Sequence, residues 1–180
     1  MTHETPFVHE TAIVEDGATL GSGTRVWHHA QIRPGARLGM DCVVGKSSFV
    51  DVDVVIGDRV KIQNHVSVFQ GVTLGDDVMV GPSACFTNDL KPRTADGWEL
   101  TKTRVGCGVG IGANATIVCG STIGDWALIG AGTVVVGDVA PHALVVGNPS
   151  RVIGWVDKAG KTVHRGETPP EDPTILDNQH

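Results

Sequence analysis

The sequence predicts an all-β fold, a solenoid of short parallel strands wound into triangular coils. Three observations point there. Every sixth residue from Val8 to Phe86 is Val, Leu, Ile or Phe, and the same step resumes one residue out of phase from Val105 to Val135. Even if every hydrophobic residue type counted, a run of this length would arise by chance roughly once in 10^8 trials. Two residues before each large residue sits a small or slim one: Ala12, Ala18, Thr24, Ala30, Ala36, Cys42 and Ser48, then valine from Val54 to Val78, then Ala84. The residue after the large one is often glycine, as at Gly21, Gly39, Gly45, Gly57, Gly75, Gly81, Gly106, Gly112, Gly124 and Gly130.

A spacing of two puts both inward residues on one face of an extended strand, so each hexad is a short strand carrying one large and one small inward side chain. An α-helix is excluded, because a period of six does not keep one face of a 3.6-residue helix inward. The glycines suit tight corners that need unusual backbone angles. Three such sides close an 18-residue coil, and stacking coils at ~4.8 Å lets each backbone bond to those above and below. The hexads make almost seven coils. Their spacing resembles the hexapeptide-repeat, left-handed parallel β-helix, an exception to the right-handed crossover rule.

The pattern is interrupted over residues 88–104, NDLKPRTADGWELTKTR, a polar stretch with Pro92 and Gly97. A loop this long in a regular solenoid is either functional, the favoured reading, or a tolerated corner insertion. Beyond Val135, Pro141 and Pro149 end the repeat, and residues 138–156 are expected to cap the last coil, whose end would otherwise be an open edge. Residues 1–156 thus form the β-helix domain. Residues 157–180 are a Pro- and acid-rich C-terminal extension, expected to be partly disordered.

Composition limits the partners. The 180-residue chain has a formal charge of -6, 41% hydrophobic residues and only 4% aromatics, so its core is aliphatic. Without a basic tract it is a poor ligand for nucleic acid or an anionic membrane. No segment approaches the ~18 apolar residues of a membrane span, and no signal-like stretch opens the chain, so a cytoplasmic protein is expected. Cys42, Cys85, Cys107 and Cys119 show no C-x-x-C spacing and are read as reduced packing residues.

In an 18-residue coil, positions 18 apart stack in columns. His28, Lys46, Asn64 and Pro82 share one column, and His29, Ser47, His65 and Ser83 the next, at the same corner of successive coils. Polar groups gathered there make a candidate cleft wall. His29 and His65, two coils apart, invite a zinc reading like that of hexapeptide-repeat carbonic anhydrases. The place of that family's third histidine holds Gln70, two histidines make a weak site, and no metal is expected. Trp27 points outward, either to pack in a subunit interface or to stack on a base.

Several segments go further: RVWHHAQI (25–32), KIQNHVSVFQGVTL (61–74), GPSACFTNDLKPR (81–93), IGANATIVCGSTIG (111–124) and VVGNPSRVIGW (145–155). Over roughly residues 8–156 they resemble bacterial N-acetyltransferases that acylate the 3-amino group of nucleotide-linked 3-amino-3-deoxy sugars. The resemblance implies a homotrimer using acetyl-CoA, with the acyl donor along the later coils and the sugar toward the earlier ones. It implies that Asn88 lies beside the sugar amine and orients it, since an amide cannot remove a proton at neutral pH. His65 stands where the family more usually has asparagine, and is either a general base or a bland hydrogen-bonding residue. His28, Lys46, Gln63, Asn64, His65, Phe86, Asp89, Lys91 and Arg93 are the substrate-side candidates. Lys91 and Arg93 suit a diphosphate, and Lys46 or Arg33 would suit a carboxylated sugar. Ser83, Gly106, Ala113, Ala131, Arg151 and Lys158 are the candidates for acetyl-CoA. Alternatives are another hexapeptide acyltransferase acting on a hydroxyl or different amine, the carbonic-anhydrase-like reading, and a non-catalytic scaffold.

Overall fold

The computed structural model describes residues 4–95 and 97–178. Positions 1–3 of the predicted domain, Asp96 of the loop and the last two residues of the extension lie outside the described residues.

The hexads form two-residue strands in three parallel sheets, one per side of a triangular left-handed β-helix. Sheet A begins at Phe7–Val8, sheet B at Ile13–Val14 and sheet C at Thr19–Leu20. In the coils before the loop partners lie 18 residues apart, Val43 opposite both Arg25 and Lys61. Along the stack N–H groups at the strands donate to carbonyls of the following coil, as from Trp27 to Val44 and from Gly45 to Ile62, at 2.9 and 2.8 Å. Both predicted inward positions are buried: Val26, Ile32, Val44 and Ile62 at the large ones, Ala30, Ala36, Cys42 and Val54 at the small ones. Burying branched aliphatics contributes about 1.5–3 kcal/mol each, so a narrow core with few aromatics suffices.

The corners depart from expectation. None of the ten glycines after the large residues has a left-handed backbone; that conformation falls two residues later, at Asp41, Ser47, Asp77, Ser83 and Asn114, and at the equivalent His29 and His65, which follow Trp27 and Gln63. The glycines are required by proximity instead. A Cβ on Gly45 would lie 2.7 Å from the Gln63 carbonyl carbon, and one on Gly81 would lie 2.6 Å from the Ala113 nitrogen. Coils spaced for hydrogen bonding leave no room there for a side chain.

The loop is shorter than its sequence pattern. Thr103–Val105 is already a strand of sheet C, paired with Val72–Leu74, and the Thr101 N–H donates to the Asn88 carbonyl at 2.9 Å to close the loop's neck. At the C-terminal end the solenoid runs further than predicted. Val139 bridges to Ile123, and Ala143–Val146 pairs in parallel with Leu128–Ile129, beginning an eighth level. Only then does Arg151–Val156 turn antiparallel and cover the open edge, followed by Thr162–Arg165. The extension continues into a 3-10 turn at Pro173–Asp177, whose Leu176 packs on the core and whose Asp177 pairs with Lys158 at 2.8 Å. All four cysteines are free; Cys42 and Cys119 are buried, whereas Cys107 is exposed and is not a packing residue. No helix among the described residues is long and apolar enough to cross a membrane.

Candidate functional site

The corner following sheet A carries half of the candidate residues, because the residue after each inward side chain of that sheet turns outward at the same place in every coil. His28, Lys46, Gln63 and Asn64 line one cavity of about 300 Å³ together with Trp27. His65 and Ser83 occupy left-handed positions of the same corner, and Ala113 and Ala131 continue it along the later coils. The structure thus puts five substrate-side candidates, His28, Lys46, Gln63, Asn64 and His65, on one edge with three donor-side ones, Ser83, Ala113 and Ala131. Asp89, Lys91 and Arg93 line a second cavity of about 530 Å³, built wholly on the loop with Glu99 and Thr101. That loop leaves the corner between sheets B and C, so a full hexad side, under roughly 20 Å at strand rise, separates it from the His65 corner of its own chain. Gly106 lies apart from both, in a groove of about 920 Å³ on the outer face of sheet C with Lys102 and Arg104.

Three assignments change. Phe86 is the inward residue of its strand and 0% exposed, so its side chain belongs to the core and offers no substrate surface. Arg33 is held by Glu15 at 3.0 Å and Asp51 at 3.7 Å, so its charge is already matched and it is a poor partner for a sugar carboxylate. Lys158 is engaged with Asp177 and lies 5.8 Å from the centroid of the Trp126 ring, so its ammonium serves the C-terminal closure. Arg151 is exposed beside Gly147. Lys46 makes no ion pair among the described residues.

At the early end of the corner the rings pack closely. His9 stacks on His28 with centroids 3.5 Å apart. Loss of water around His28, then the charges of His9, His29 and Lys46, hold its pKa below the ordinary imidazole value, with Glu10 opposing. A neutral imidazole is favoured there. No group of three or more His, Cys, Asp or Glu able to hold a metal ion occurs among the described residues.

The structure also shows functional groups that residue types conceal. At several corners an Asp or Asn accepts the N–H of the residue one coil earlier: Asp58 from Met40, Asn64 from Lys46, Asp76 from Asp58 and Asp125 from Cys107, at 2.8–2.9 Å. Along the sheet A corner this ladder stops after Asn64, since its successors are Pro82, Ala113 and Ala131. The backbone N–H groups of Asn64, Ala113 and Ala131 therefore find no acceptor among the described residues. They form a line of outward donors. Backbone amides leave no mark in a sequence, but the missing Asp or Asn at a ladder position does.

Comparison with known proteins places this geometry. A family model described as the hexapeptide repeat of succinyl-transferase matches residues 35–70 and 102–136. The chain is 48% identical over 154 residues to the dTDP-3-amino-3,6-dideoxy-alpha-D-galactopyranose 3-N-acetyltransferase of Aneurinibacillus thermoaerophilus, covering 85% of this chain and 80% of that protein. A hexapeptide-repeat acetyltransferase of Vibrio cholerae, solved with acetyl coenzyme A, is 29% identical with a TM-score of 0.53, covering 67% of this chain and 70% of that one. The acetyltransferase domain of PglB from Neisseria gonorrhoeae shares the fold, with a TM-score of 0.57 at 24% identity, over 82% of this chain and 57% of that one. With the repeat, the polar corner and nearly half of all residues shared along most of both chains, the protein belongs to the hexapeptide-repeat acetyltransferases.

Proposed function

We propose that the protein transfers the acetyl group of acetyl-CoA to the 3-amino group of a nucleotide-linked 3-amino-3-deoxy sugar. The observation that carries this is the single corner on which polar candidates of the early coils run directly into unsatisfied backbone donors of the later ones. An acyl donor laid along Ala113 and Ala131 would bring its thioester toward His65 and Ser83, where the amine must arrive. The 3-N-acetyltransferase with which the chain shares 48% identity supports the acceptor class.

The chemistry asks little of the side chains. The amine nitrogen attacks the thioester carbonyl carbon, the C–N bond forms, and the carbonyl oxygen takes the negative charge. Collapse breaks the C–S bond, and the amine's proton passes to the departing thiolate. An amino sugar loses its proton more readily than a lysine of pKa roughly 10.4, so orientation and oxyanion donors supply most of the rate. Asn88 would orient the amine, and His65 would assist proton removal. Because the Asn88 loop and the His65 corner stand apart within one chain, the reading includes a closed homotrimer in which one protomer's loop covers its neighbour's corner.

The test is thiol release from acetyl-CoA with a panel of nucleotide-linked amino sugars, hydroxyl sugars and free amines. Release specific to a 3-amino sugar nucleotide is expected. Release only with a hydroxyl acceptor would replace this reading with O-acetylation, and none with any acceptor would leave a scaffold. Asn88→Ala is expected to lower kcat at least tenfold, and His65→Asn to lower it roughly a hundredfold, the lower end of what a general base contributes.

A further inference from the structure

The transfer step proposed above assigns no role to the aromatic residues at the early end of the site, yet their arrangement is specific. The rings of Trp27 and His28 are parallel within 6°, with centroids 6.2 Å apart. Both are braced from the preceding coil: Phe7 tilts against Trp27 at 5.5 Å, and His9 lies 3.5 Å from His28. On the opposite side lies the cavity of about 300 Å³, walled by Lys46, Gln63 and Asn64 of the next two coils. Two parallel rings, a cation and two carboxamides meet in one small space. Trp27 is 38% exposed beside it.

We propose that this platform seats the base of the nucleotide-linked substrate, and that it selects a base with a ring N–H beside a carbonyl, the uracil, thymine or guanine type, over adenine. The inference rests on the acceptor class proposed above. Stacking on an aromatic ring is tolerant of base identity, so the selection falls to the amides. Asn64 has its oxygen committed to the Lys46 N–H at 2.8 Å, which fixes its amide orientation and leaves NH2 as the outward group. A fixed donor asks for a carbonyl on the base, which adenine lacks. Gln63 has only a 4.0 Å contact to the Met79 sulfur and is free to present its oxygen to the ring N–H. Lys46, which lines the same cavity, would meet the diphosphate carried by the ribose beyond the base as a charge-assisted donor.

The experiment is competition by dTDP, UDP, GDP and ADP against the nucleotide sugar, with CoA held at saturation so that ADP cannot report on the acyl-donor site. The three carbonyl bases are expected to compete and ADP to need at least tenfold more; their ranking identifies the base. Trp27→Ala is expected to raise KM for the nucleotide sugar roughly ten- to a hundredfold and to leave KM for acetyl-CoA unchanged, with Trp27→Phe recovering most of the loss. ADP competing as well as dTDP would overturn the selection. Acetylation by Trp27→Ala with unaltered KM, or a loss traced to a changed oligomeric mass, would overturn the base seat while the transfer reaction stands. Nucleotide binding that depends on Trp27 in a protein that acetylates nothing would support the base seat and reject the reaction.

Discussion

His28 shows how one residue couples packing to solution conditions. It lies against His9 and faces His29, Lys46 and Glu10, and crowding and positive neighbours depress its proton affinity when folded. The unfolded chain releases this group to its ordinary value near 6.5, so below roughly that pH the unfolded state binds more protons and stability falls. Above it the contribution vanishes. Thermal melts from pH 8 to 5 should therefore show a decline that His28→Gln flattens; an identical decline in the variant would remove His28 as its source. At this scale the sequence was legible wherever chemistry follows from residue type, as for His28, Lys46 and the loop cations. It was illegible where type and position disagree. Phe86 sits inside a motif shared with substrate-binding residues, but its place in the six-residue count already assigns it to the core. Arg33 reads as a free cation only until the fold brings Glu15 and Asp51 to it.

At the scale of elements, the hexad predicts the strands and the contents of the core, but not what happens between coils. The glycine rule came from a real regularity and received the wrong cause, because coil spacing is a property of stacked backbones and has no counterpart in one hexad. The two causes make different predictions. Gly81→Ala forces a methyl group against the Ala113 backbone and should cost roughly 1–3 kcal/mol as overpacking does, whereas Gly97→Ala on the loop meets nothing within 4 Å and should leave the denaturation midpoint nearly unchanged. The interrupted ladder allows a sharper test. Asparagine at position 131 would restore the missing acceptor above the Ala113 N–H. Ala131→Asn is expected to stabilise the fold by about 1 kcal/mol, the net worth of one hydrogen bond, and to reduce kcat/KM for acetyl-CoA at least tenfold. Greater stability with undiminished turnover would show that the Ala113 donor is not used.

For the whole molecule, the decisive fact is separation. The polar corner and the loop of one chain are divided by a full side of the triangle, and each lines its own cavity. The proposed threefold assembly would resolve this, by setting the loop of one protomer against the corner of the next. Sedimentation should then give three times the 18.9 kDa chain mass, but mass alone does not show that sites are shared. Complementation does. Lys46→Ala damages only the corner, and Asn88→Ala only the loop, so homotrimers of either variant have three defective sites. In trimers reassembled from an equal mixture, a site is intact when an Asn88→Ala protomer supplies the corner and a Lys46→Ala neighbour supplies the loop. Random assembly produces that ordered pair in about one quarter of sites. Activity near one quarter of wild type, rising from two nearly inactive parents, is the expected result. If each site lay within a single protomer, every site in the mixture would still carry one of the two lesions, and mixing would restore nothing.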